Sequence, residues 1–136
     1  MTGLKLGKAH VCRKFFPIED EKYITVQPFS KNQTSKCYDY WNEALILLVP
    51  ILQKNGIRVY QIGEKDEPVL FGVIPLNGKT SICQANFVIQ NAIIHLSADS
   101  FTSHNAGYLG VPQVSIFGNT ESATHGPIAR DKAILL

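Results

Sequence analysis

Apolar and polar positions alternate along this chain in two distinct rhythms. Short β-branched runs, "YITVQPF", "IRVYQIG", "IIHLS" and "PQVSIFG", are bounded by Pro, Gly or polar clusters and predict buried strands. Between them lie segments of helical period. "YDYWNEALILLVPILQKNG" repeats Trp41, Leu45, Leu48 and Leu52 along one face. Asp39 is its predicted N-cap, Glu43 sits in its first turn and Gly56 closes it. Pro50 interrupts it at a cost of about 3 kcal/mol, which predicts a kink.

"SICQANFVIQNA" opens with Ser81 and carries Gln84 three residues on, the capping-box spacing, and would set Ile82, Ala85 and Ile89 on one face. "SFTSHNAGYLG" is a third helix, closed by Gly110. "VLFGVIPLNG" is a weak strand region and "KAILL" a terminal strand. The order β, α, β, weak β, α, β, α, β, β with short loops predicts an α/β fold. It is an open parallel, Rossmann-like sheet with helices on both faces. Residues 1–22 have no period and read as an N-terminal arm on a domain spanning 23–136. A chain that stops on a strand, without a closing helix, reads as incomplete or dependent on a partner.

Composition narrows the function classes. A length of 136 residues suits one domain, and 45% hydrophobic content supports a core. Net charge of +2 with scattered basic residues argues against a nucleic-acid surface. The longest apolar run, "ALILLVPIL", is too short to cross a bilayer and no signal-peptide pattern opens the chain, so a cytoplasmic protein is expected. Cys12, Cys37 and Cys83 lack metal or disulfide-framework spacing and are expected as buried thiols of a reducing compartment. The histidines show no metal-binding spacing, and no metal or cofactor is implied.

Chemistry collects at the predicted carboxyl ends of the strands, where open α/β sheets bind ligands. After the strand "IIHLS", "ADSFTSH" places Asp99, Ser100, Thr102, Ser103 and His104 at a helix start, whose free N–H groups favour an anion such as phosphate. Loops on the same rim supply Ser30 and Lys36, then Glu64 and Glu67, then Thr120. Lysine with hydroxyls suits a diphosphate, and a carboxylate suits ribose hydroxyls. A plain cap remains the simpler reading of Ser100 and Ser103, and packing that of His95. No G-x-G-x-x-G, P-loop or G-x-S-x-G motif is present.

The stretch "SADSFTSHNAGYLGVPQVSIFGNT…GP" resembles the C-terminal half of the ADP-heptose:lipopolysaccharide heptosyltransferases, glycosyltransferase family 9, of GT-B fold. The matches are Asp99, Ser100, His104, Leu109-Gly110, Pro112, Phe117-Gly118, Thr120 and Gly126-Pro127. "ITVQPFSKNQTSKCYDYW" supplies the family's loop lysine and helix-start tryptophan as Lys36 and Trp41. "GIRVYQIGEKDE" is similar to its acidic loop, and "LNGKTSICQANFVIQNA" to its segment near adenine.

The resemblance, over about residues 23–135, implies a donor domain binding a nucleotide-diphosphate sugar, ADP-linked by preference. Lys36 and the helix start at Ser100–Ser103 would hold the diphosphate and Glu67, or failing it Glu64, the ribose. Thr80 and Ser81 would lie near the adenine, Asp99 would orient the sugar, and His104 and Thr120 would line the pocket. Phe101 stands where the family has glycine, crowding the phosphate approach or stacking on a ligand, and Asn119 where it has proline. Nothing in these residues corresponds to the family's acceptor domain, which carries the catalytic base. No catalytic residue is therefore assigned, and an acceptor-domain partner chain or a homo-oligomer is expected. The alternatives are a non-catalytic binding or assembly module that keeps the half-fold, and an epimerase-type sugar-nucleotide protein.

Overall fold

The computed structural model describes residues 11–29, 38, 40–98, 100–116 and 133–135. Six parallel strands form one open sheet: β1 (Tyr23–Gln27), β2 (Arg58–Gln61), β3 (Ile74–Pro75), β4 (His95–Ala98), β5 (Gln113–Ile116) and β6 (Ala133–Leu135). Their spatial order is β3-β2-β1-β4-β5-β6. The chain runs outward from β1 to β3, then returns to β1's other side as β4, so the connections diverge between β1 and β4. That divergence leaves a crevice beyond the carboxyl ends of the two strands.

Strand register sorts side chains onto two unlike faces. Thr25 pairs with His95 and His95 with Gln113; Gln27 pairs with Ser97 and Ser97 with Ser115. These six polar residues therefore share one face, with Tyr23 and Tyr60 beside them. Ile24, Val26 and Val59 occupy the other.

The apolar face is covered by α1 (Trp41–Lys54) through Trp41, Leu45 and Val49, with Leu48 and Leu52 at the margin. The Trp41 indole donates to the Pro28 carbonyl at 3.1 Å, tying the helix start to the end of β1. The first turn differs from expectation. The cap position is Tyr40, without a side-chain bond, and Asp39 lies outside the described residues. Burial against β1 substitutes for the cap. The helix runs through Pro50, which lies on its exposed side where a freed carbonyl can be hydrated. Gly56, at φ 73°, ends it in a Schellman turn: Ile57 N–H donates to the Leu52 carbonyl and Gly56 N–H to that of Gln53.

The polar face carries α2 (Ile82–Gln90) and α3 (Phe101–Tyr108). Ala85, Val88 and Ile89 of α2 pack with Tyr23, Tyr60, Ile62 and Leu76. Ile82 is exposed rather than part of that face, and Asn86 is buried in its place. The expected capping box is present, with Gln84 N–H donating to Ser81 Oγ and Ser81 N–H to Gln84 Oε1. Gly110, at φ 72°, closes α3 with a second Schellman turn.

Residues 11–22 follow α2 without regular structure. Lys14 N–H donates to the Cys83 carbonyl and Asn86 Nδ2 to the Cys12 carbonyl, while the Phe15 and Phe87 rings meet edge to face. Phe16 and Ile18 pack onto the core cluster. Cys12 and Cys83 are joined by a disulfide across 71 positions of sequence. The expectation of free buried thiols fails for this pair, because the arm lays Cys12 against the second turn-forming residue of α2. Separation in sequence hid that proximity. Cys37 lies outside the described residues.

Candidate functional site

A cleft of about 390 Å³ opens at the divergence point, lined by Gln27, Ile62, Gly63, Glu64, Glu67, Gly78, Thr80, Ser81, Ile82, Ala85 and Ser100. Each strand end contributes differently, beginning with β1. Gln27 Oε1 accepts from Ser100 Oγ at 2.5 Å and Thr102 Oγ1 at 3.2 Å, and its Nε2 donates to the Phe29 carbonyl. The amide is held at both ends, its oxygen by two hydroxyls and its nitrogen by the Phe29 carbonyl.

Behind it runs a buried chain of polar groups. Thr25 Oγ1 lies 2.8 Å from His95 Nδ1, and His95 Nε2 lies 3.0 Å from Thr102 Oγ1. Burial pushes the His95 imidazolium down to about 3, so the ring is neutral. The Nε2–H tautomer gives the chain a consistent direction: Thr25 donates to Nδ1, Nε2–H donates to Thr102, and Thr102 and Ser100 both donate to Gln27, leaving the 2.9 Å Ser100–Thr102 oxygen contact without a proton. The chain couples the centre of the sheet to Ser100 at the lip of the cleft. A second set braces α3, with Gln113 Nε2 donating to the Ser103 carbonyl and Ser115 Oγ to Gln113 Oε1.

Glu64 and Glu67 follow β2 on a loop that buried Gln61 fixes: its Nε2 donates to the Pro68 carbonyl and its Oε1 accepts from Leu70 N–H, both at 2.9 Å. The Glu67 carboxyl rests on the backbone of Gly63, where any side chain would meet its Oε2 at 2.1 Å. Glycine at 63 is what lets the carboxyl lie this close; an added Cβ would push the flexible end of Glu67 aside, and the torsions are ordinary. Burial raises the Glu67 carboxyl above the usual range, the Glu64 backbone N–H opposes this, and the Glu64 charge adds to it. A raised value means that its stabilising contribution is complete below the unfolded range and fades as pH climbs through the folded one.

Of the residues singled out from sequence, the cleft thus gathers Glu64, Glu67, Thr80, Ser81 and Ser100. Ser100 occupies the N-cap position of α3 but makes no side-chain cap bond, its hydroxyl being engaged by Gln27. Thr102 and Ser103 are fully buried, with Ser103 Oγ donating to the Ser100 carbonyl, so neither side chain lines the cleft. His104 is half-buried and outside the lining. Ser30, Lys36, Asp99 and Thr120 lie outside the described residues, as does the side chain of Phe101. Sequence reasoning missed Gln27, and met Gly63 and Gly78 only as part of the rim loop and of the segment near adenine; the parity of Gln27 with Thr25, on a strand ending at the rim, was the available signal. Among the described residues no group of His, Cys, Asp and Glu is placed to hold a metal ion, and no helix is long and apolar enough to cross a membrane.

Comparison with known proteins bears on this architecture. The structure of E. coli ADP-heptose lps heptosyltransferase II superposes with a TM-score of 0.72 at 20% identity, over 88% of this chain and 39% of that one. E. coli heptosyltransferase WaaC with ADP gives 0.70 at 19%, over 87% and 38%. The iron-containing dodecameric glycosyltransferase TibC from enterotoxigenic E. coli H10407 gives 0.66 at 16%, over 96% and 34%. The chain spans about two fifths of the length of the first two. These likenesses carry the fold. No curated protein matches the sequence. The model of glycosyltransferase family 9 (heptosyltransferase) matches residues 2–136, so nearly every residue of the fold just described falls within it, and the chain belongs to that family.

Proposed function

We propose that the cleft binds the nucleotide of a nucleotide-diphosphate sugar, ADP-linked by preference, and that this chain is the donor half of a heptosyltransferase-like glycosyltransferase. The observation that carries the reading is the Glu67 carboxyl at the divergence point, half-buried beside the capped start of α2 and opposite Ser100. A carboxylate accepts only, and the vicinal hydroxyls of a ribose donate. Thr80 and Ser81 border the same cleft, where a base would lie against Ile62 and Ile82. The start of α3, with Lys36 and Ser30 from the loop after β1 and Asp99, His104 and Thr120 around it, would receive the diphosphate and sugar. Neutralising the diphosphate favours its departure in glycosyl transfer.

WaaC, which shares this fold, is a complex with ADP, and TibC is dodecameric. Both features extend to this chain as part of the proposal, together with an acceptor-domain partner or a homo-oligomer that supplies the base. So does the division into an arm of residues 1–22 and a binding domain of 23–136. A cytoplasmic location belongs with it, since sugar nucleotides are made there; the Cys12–Cys83 bond argues the other way, because structural disulfides persist mainly in oxidising compartments.

Calorimetric titration with ADP, UDP and ADP-linked sugars is the test. The reading requires micromolar ADP-sugar binding, weakened at least tenfold by Glu67→Ala or Lys36→Ala in folded protein. No response to any nucleotide would favour a non-catalytic assembly module, and preference for UDP an epimerase-type ligand.

A further inference from the structure

Three buried polar atoms among the described residues have no hydrogen-bond partner: Glu67 Oε2, Asn77 Oδ1 and Asn77 Nδ2. Native proteins rarely leave such atoms unpaired, and a cluster of them in one wall marks a place where a partner arrives. Their positions are linked through one glycine. A methyl group on Gly63 would sit 2.1 Å from Glu67 Oε2 and 3.4 Å from Asn77 Nδ2, so the two atoms are neighbours across that backbone. The wall itself is fixed, because Gly78 N–H donates to the Gly63 carbonyl and Leu76 N–H to that of Gln61. Asn77 therefore stands directly behind a carboxyl that lines the cleft, with both halves of its amide uncommitted.

We propose that Asn77 is a positioning residue for Glu67: when the carboxyl ionises, Asn77 Nδ2, unbonded in the structure, rotates to donate to its Oε2 and turns Oε1 toward the hydroxyls of a ribose in the cleft. This rests on the nucleotide reading above. Beside the Glu64 charge, Oε2 of a half-buried carboxylate has no donor, and an amide supplies one without adding charge. The surrounding charges do not replace it. Glu64 on the same loop is repulsive, Lys65 packs its stem against Gly78, and Asp66 shares the loop. Lys79 belongs to the exposed turn after β3, and the first turn of α2 holds no acidic residue. Only the Glu64 backbone N–H favours the ionised form at present.

The experiment compares wild type with Asn77→Ala, Asn77→Ser and Gly63→Ala, all checked for folding by thermal melting. Gly63→Ala serves as the second route, since its backbone tolerates alanine and the added methyl displaces the end of the flexible Glu67 side chain. Affinity is read for ADP and 2′,3′-dideoxy-ADP, and the Glu67 titration midpoint by carboxyl carbon NMR of ligand-free protein. Asn77→Ala is expected to weaken ADP about tenfold while leaving the dideoxy nucleotide unchanged, and to move the Glu67 midpoint upward, the direction expected for loss of a donor to the charged form. The serine variant restores part of both effects, and Gly63→Ala reproduces the affinity loss. ADP binding with an unchanged ADP-to-dideoxy ratio and an unchanged midpoint in Asn77→Ala overturns the role of Asn77 alone. A shifted midpoint with no ADP binding by any form, wild type included, overturns the nucleotide reading and the ribose half of this proposal with it.

Discussion

The two faces of the sheet are closed by different physics. Under α1 the contacts are aliphatic and aromatic: Ile24, Val26 and Val59 against Trp41, Leu45 and Val49. Such contacts are non-directional, so the face gains stability from area and tolerates small shifts. Under α3 the sheet offers Thr25, Gln27, His95, Ser97, Gln113 and Ser115, all buried and all hydrogen-bonded. Directional bonds of this kind contribute modestly to net stability but admit few alternative arrangements. The cleft lies at the end of the polar face. The α1 face is closed by apolar area, whereas on the other face apolar packing of α2 is joined by polar bonds under α3 that set the position of Ser100 and Gln27.

Breaking the covalent tie on the polar side should have the largest effect. Cys12→Ser opens a loop of 71 positions and is expected to cost about 4 kcal/mol in denaturant unfolding of oxidised protein, with the loss absent under reducing conditions. Leu45→Ala, beneath α1, should cost about 3 kcal/mol in the same measurement while nucleotide affinity per folded molecule holds steady. His95→Leu leaves the Thr25 and Thr102 hydroxyls without their ring partner, at a cost of about 2 kcal/mol near neutral pH. Nucleotide affinity should fall with it, as Ser100 loses its brace. If Leu45→Ala weakened binding and His95→Leu did not, the division of labour between the faces would be wrong.

Acid sharpens the same contrast. The folded His95 value of about 3 lies below the unfolded value of about 6.5, so the unfolded state takes up the proton first. The stability this residue supports is present above the unfolded value and is lost as pH falls from there toward 3. His95→Leu removes that sensitivity, so the gap between variant and wild type in unfolding free energy should narrow between neutral pH and pH 4.

The legible and hidden parts of the fold divide along the same line. The Ser81 capping box and the Gly56 and Gly110 helix ends are local chemistry, settled within a few residues, and were readable. In α1 the helix was readable but its buried face less so. "ALILLVPIL" is apolar all round, so Leu48 and Leu52 promised as much burial as Val49, and Leu47 ends 74% exposed. For α3 the difficulty was the reverse. Its eight residues form no apolar stripe, because the surface receiving them is polar. At the site, the acidic loop after β2 and the helix start at Ser100 were visible as clusters at strand ends. That Thr102 turns inward while Ser100 reaches the cleft depends on Gln27, more than seventy positions away on β1, and on His95, whose ring lies under α3 only because β4 pairs beside β1.

By itself, the sequence determined the alternation of strand and helix, and with it a parallel sheet with a binding rim, because those follow from periodicity and turn chemistry over short spans. Its motif spacing also pointed to the family. Only the tertiary structure decided which polar groups are spent holding the sheet together and which face the cleft. It also decided that Cys12 meets Cys83 and that Asn77 stands behind Glu67. Such pairings depend on strand order and on the packing of distant segments, and no local pattern encodes them.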